Sequence, residues 1–149
     1  MKQNIASIPR RLNAIKKLVR EYFDLPDAAA IEQHTQLLRV FDIRGSKYPK
    51  HPHKTMRVYI TRRALKHIVE SRKKELLKNH APEQALGAIC FAIEKIPETI
   101  TDFDKYELEP PSQCYQKDYA HEGRPMVRIA LEEKNGALEI KSLHFRKRN

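Results

Sequence analysis

Residues 127–145 read VRIALEEKNGALEIKSLHF. Val127, Ile129 and Leu131 alternate with Arg128 and Ala130, the two-residue period of a strand with one buried face. Asn135-Gly136 follows, and Asn-Gly between alternating segments is a strong hairpin signal because a two-residue type I′ turn needs positive φ at both positions. Leu138 and Ile140 then resume the alternation in a last strand running from Ala137 to Phe145. Just upstream, the Tyr-rich segment Gln113–Tyr119 reads as another strand, and 120–125, with its Gly and Pro, as a turn.

Further towards the N-terminus the period changes. Met56, Val58 and Ile60 alternate with Arg57 and Tyr59, which predicts a half-buried strand. Thr61 is then placed to cap a helix running towards Asn79. Its apolar stripe is Leu65, Ile68, Val69 and Leu76, with Arg72 interrupting it. Pro82 suits the first turn of a second helix, whose face is Leu86, Ile89, Ile93 and Ile96 and which Pro97 closes. Strand, two helices and a meander of strands predict an α+β fold with the helices packed on one face of an antiparallel sheet. Residues 1–43 read as a preceding helical pair. Leu12, Ile15, Leu18, Val19, Tyr22 and Phe23 stripe the first helix, Pro26 ends it, and Ala28–Phe41 carries Ile31, His34, Leu37, Leu38 and Phe41 on one face. The expected organisation is an N-terminal helical extension at 1–43, a basic loop at 44–54, and an α+β domain at 55–146.

Charge narrows the partner. The 149 residues hold 29 Lys+Arg against 19 Asp+Glu, a formal charge of +10. The excess is clustered: 45–59 contains no acid, nor does the tail with Lys141, Arg146, Lys147 and Arg148. Asp102, Asp104, Glu107 and Glu109 form an opposing acidic stretch. Basic clusters of this kind fit a polyanion, whose neutralised phosphates release counterions. No apolar run approaches the ~18 residues of a membrane span, and residues 1–20 contain no signal-peptide core. Cys90 and Cys114 form no disulfide framework and read as plain thiols of a reducing compartment, with the cytoplasm as the expected location. His51-Pro52-His53 lacks a third ligand at useful spacing, so neither metal nor cofactor is expected.

Several residues break the apolar patterns. Strict alternation places Ser142 and His144 on the face of Leu138 and Ile140, so a strand that begins in the core ends by presenting a hydroxyl and an imidazole. His67 stands beside Ile68 on the first core helix, and Arg72 lies within that helix's stripe. Cleavage of RNA by its own 2′-hydroxyl needs a base, an acid, and a fixed cation for the phosphorane. Histidine suits the proton transfers near neutral pH, and Arg72 or Lys117 suits the cation.

The run Val58-Tyr59-Ile60-Thr61, Leu65-Lys66-His67-Ile68 and Arg72, then Ile96-Pro97-Glu98, then Leu138-Glu139-Ile140-Lys141-Ser142, resembles the phage- and toxin-associated nuclease domains of the barnase–EndoU–colicin–RelE superfamily over roughly residues 55–146. The resemblance implies a small metal-independent RNase that leaves a 2′,3′-cyclic phosphate. His67, Arg72 and Ser142 match its helix histidine, following cation and final-strand hydroxyl. Lys117, in preference to Arg128, supplies the middle-strand cation, and His144 is added from strand alternation. Which histidine is base and which acid stays open. Tyr115 and Tyr119 are candidates for stacking unpaired bases, while Arg128, Arg146, Lys147 and Arg148 would follow the backbone. The resulting expectation is a toxin- or phage-type endoribonuclease acting on RNA, tRNA among the candidates. It would be held by an acidic inhibitor or immunity protein, or delivered into the cytoplasm of a target cell. Two alternatives stand beside it: a non-catalytic nucleic-acid-binding module, and an effector-type protein whose basic surface meets an acidic partner or membrane.

Overall fold

A computed structural model describes residues 7–24, 36–43 and 55–146 of the chain. The basic loop 44–54, most of the second expected helix, and Lys147 and Arg148 lie outside the described residues. The elements run α1 (Ser7–Asp24), β1 (Leu37–Ile43), β2 (Met56–Thr61), α2 (Arg62–Leu76), α3 (Pro82–Glu94), α4 (Ile96–Thr101), β3 (Lys105–Glu109), β4 (Ser112–Lys117), β5 (Met126–Lys134) and β6 (Ala137–Arg146). The architecture is α+β, with four helices and one six-stranded sheet in the order β1-β2-β6-β5-β4-β3.

Local signals act where the sequence places them. Thr61 caps α2, its Oγ1 accepting from the Ala64 amide at 3.0 Å. Pro82 opens α3, and Asn135 and Gly136 turn the β5–β6 hairpin with φ of 54° and 76°. Pro97 does more than end a helix, since it sits in the first turn of α4. The sheet is mixed: every neighbouring pair is antiparallel except β2 and β6, which run parallel from Val58↔Leu138 to Ile60↔Ile140. That pair joins the N-terminal hairpin to the C-terminal meander.

The largest departure from the sequence reading is at 37–43, expected at the end of a helix and found as β1. Its register with β2 shifts between Arg39 and Phe41, so Val40 is an extra residue. A bulge breaks the two-residue period and lets Val40 and Phe41 both be buried. The resulting apolar spacing resembles that of a helix. Leu37, which a helix would have buried, is 53 % exposed.

One core unites these elements. Ile15, Val19 and Tyr22 of α1, Val40 of β1, Val58 and Ile60 of β2, Leu65 and Val69 of α2, Ile89 and Ile93 of α3, and Ile129, Leu131, Leu138 and Ile140 of the hairpin all join it. Lys73 of α2 donates to the Phe23 carbonyl in the last turn of α1 and lies over the Phe23 ring, tying the two helices together. None of the helices among the described residues is long and apolar enough to cross a membrane.

A candidate functional site where α2 meets β6

The register of β6 decides where its polar residues go. Leu131 pairs with Ile140 but Ala130 pairs with Ser142, so Lys141 is bulged out. Beyond it the alternation is inverted: Leu143 is buried opposite Ile129, whereas Ser142 and His144 stand opposite Ala130 and Arg128 and are half-buried. The expectation that Ser142 and His144 share the face of Leu138 and Ile140 is therefore corrected. An inserted residue changes the side on which every later residue falls.

His144 nevertheless meets α2. Its Nδ1 lies 3.0 Å from Nη1 of Arg72, and α2 packs against β6. Arg72 is buried at 9 % exposure on the side of α2 that carries Leu65, Ile68 and Val69. Its Nη1 is 3.5 Å from the carboxylate of the exposed Glu75, and its buried Nε has no hydrogen-bond partner. A guanidinium only donates, so Nδ1 of His144 accepts, and the proton of the neutral ring resides on Nε2. An unsatisfied buried N–H costs ~1–3 kcal/mol. The arrangement is a desolvated cation with an unused donor beside a proton-transfer group, and it is chemically suited to an anion.

The other sequence candidates are distributed differently. His67 is exposed on α2, and five residues at 100° each place it ~140° around the helix from Arg72. Lys117 reaches Asp102 at 3.3 Å and Asp104 at 3.9 Å. Arg128 lies 2.8 Å from Glu107 and also binds Glu109. The Arg128 bond holds the Glu107 carboxyl below its usual range. Both cations expected to face phosphate are thus met by carboxylates, which sit in the acidic stretch that sequence shows but does not fold. Tyr115, expected to stack a base, is fully buried against Phe103 and Tyr106 at ring separations of 5.2 and 5.1 Å. A ring without an accessible face offers no platform. Tyr119 is likewise buried, its hydroxyl 2.7 Å from Thr99 Oγ1. Burial pushes both phenols well above their usual range. Arg146 ends β6 opposite Met126. Among the described residues, no group of three or more His, Cys, Asp or Glu could hold a metal ion.

The couple of Arg72 and His144 was only half visible in the sequence. Each residue breaks a pattern, but their meeting is a tertiary contact between residues 72 positions apart, which no local signal marks. Comparison with family models, curated proteins and solved structures returns no match.

Proposed function

We propose that the chain is a metal-independent endoribonuclease acting through Arg72 and His144. The observation that carries this reading is the 3.0 Å approach of a buried guanidinium to an imidazole nitrogen. A phosphodiester is a stronger acceptor for a guanidinium than a neutral ring, because it bears a charge. When RNA arrives, Arg72 turns its Nη1–H from the imidazole to a non-bridging oxygen, and the lone pair on Nδ1 is released. The 2′-hydroxyl proton then passes to Nδ1 as the 2′-O–P bond forms. The P–O5′ bond breaks, the 5′-oxygen takes a proton from solvent water, the hydroxide left behind takes the proton from Nδ1 and so restores the neutral ring, and a 2′,3′-cyclic phosphate remains. Arg72 offsets the charge growing on the phosphorane. Ser142, two residues from His144 on the same strand, would donate to the phosphate, and an acidic inhibitor would cover this region in the producing cell.

The test is incubation of purified protein with total RNA and excess EDTA, followed by analysis of fragment ends. Discrete fragments ending in cyclic phosphate are expected from the wild type and not from His144→Ala. A folded wild type that leaves RNA intact overturns the reading. The position of His67, away from Arg72, favours a second one, a module that binds RNA without cutting it. Salt-sensitive binding with no fragments is its signature.

A further inference from the structure

A groove of about 990 Å³ lies at the β1–β2–β6 end of the molecule, lined by Arg57, Tyr59, Arg63, Lys134, Glu139 and Lys141 among others. Val58, Ile60, Leu138 and Ile140 are fully buried in the core. Strand alternation therefore turns Arg57, Tyr59 and Glu139 to the opposite face of the sheet.

We infer that this groove binds single-stranded RNA, with the backbone on Arg57, Arg63 and Lys134 and an unpaired base on the ring of Tyr59. The inference rests on RNA as the partner and does not require that the protein cleave it. Its first support is uncompensated charge. Arg57, Arg63 and Lys134 are exposed, and among the described residues none has an acidic partner. The two acids of the groove are already engaged, Glu139 by Lys141 at 2.9 Å and Asp42 by Arg39. Arg63 adds a second argument. It lies in the first turn of α2, which contains no acid, at the helix end where the backbone dipole disfavours a cation. An anion in the groove removes that conflict.

Tyr59 selects the kind of anion. It is only half-buried, unlike the enclosed Tyr115 and Tyr119, and it shares its strand face with Arg57, between Arg39 of β1 and Glu139 of β6. A cationic track with an accessible aromatic ring is how single strands are held, since each base has a π-face and an unpaired base is free to stack. A duplex keeps its bases stacked on each other and gains nothing from Tyr59. An acidic protein would use the cations but not the ring. Lys141 links the groove to the site described above: it is three residues before His144, ~10 Å along the strand. RNA lying in the groove would be led towards Arg72.

The experiment is fluorescence anisotropy with a labelled oligouridine of about 12 nucleotides, in EDTA, across a salt series, using the full chain. Each variant is first checked for an unchanged thermal melt. The triple variant Arg57→Gln, Arg63→Gln, Lys134→Gln should weaken binding more than tenfold and reduce the log–log salt slope by about 2. Tyr59→Leu should weaken binding about tenfold with the salt slope retained. Tyr59→Phe, which keeps the ring, should bind as the wild type does. His144→Ala should bind as the wild type does even if it no longer cuts, so loss of cleavage and loss of groove binding are read separately. If the triple variant binds within twofold of wild type, the groove is not the RNA track. If Tyr59→Leu equals Tyr59→Phe, or if a duplex of the same length responds equally to Tyr59→Leu, no base stacks there. Any of these results overturns the inference.

Discussion

The two ends of the sheet carry cations in opposite circumstances. At the β3–β4 end, Lys117 and Arg128 are each held by two carboxylates. At the β1–β2–β6 end, Arg57, Arg63 and Lys134 line a groove with no acidic partner among the described residues. The charge of the whole chain does not reveal this difference, yet only the second region has charge to offer. A polyanion is attracted by cations whose fields are not already cancelled nearby. The formal +10 therefore understates the asymmetry, and a polyanion would meet a molecule with a basic end and an acidic one.

The largest effect that would sharpen this contrast lies between the ends, at Arg72. Arg72→Gln should lower RNA cleavage by about a hundredfold while groove binding stays within twofold, as loss of one charge-stabilising donor does elsewhere. Cleavage assays alongside anisotropy check it. Equal loss in both assays would mean that the basic groove and the Arg72 site are one surface.

Altering one charge at each end comes next. Arg63→Glu should reduce oligouridine affinity by about tenfold, whereas Arg128→Gln should change it by less than twofold because that charge is spent on Glu107 and Glu109. The comparison fails if the two substitutions weaken binding alike. The same Arg128→Gln change should instead lower stability by ~1 kcal/mol, read from urea melts.

Gly136 belongs to the turn that joins β5, facing the acidic end, to β6, facing the groove. Its φ of 76° favours glycine, so Gly136→Ala should cost ~1–2 kcal/mol in the same melts.

The smallest effect is a matter of pH. Because Arg128 depresses the Glu107 pKa in the folded state, the unfolded chain binds that proton more readily. The stabilisation is therefore complete above the ordinary glutamate range and is lost as pH falls through the lowered folded value. The stability difference between wild type and Glu107→Gln should be present at neutral pH and vanish in acid. A difference that persists in acid would place the Arg128 contact elsewhere.

Much of this frame is legible in the chain. Thr61, Pro82 and Asn135-Gly136 act through their own backbone chemistry, and the alternation in β5 needs one buried face and nothing more. The two bulges are another matter. Val40 and Lys141 carry no mark of their position, because an extra residue in a strand is tolerated by many side chains and is set by the neighbouring strand's register. The bulge at Val40 made β1 resemble a helix, and the bulge at Lys141 reversed the sides of Ser142 and His144. Burial of Tyr115 is not legible in the sequence for a related reason. A tyrosine in a strand reads the same whether its ring meets water or, as here, Phe103 and Tyr106.

Lys141 thus acts on β6 as a frameshift acts on a message. One surplus residue leaves everything before it in phase with the core and puts everything after it out of phase. Removing that residue would restore the rhythm of the strand and swing the imidazole to the side of Leu138 and Ile140. The side on which His144 falls is set by the count of residues between Ile140 and Leu143, so a single codon lost at this point would matter more than most substitutions around it.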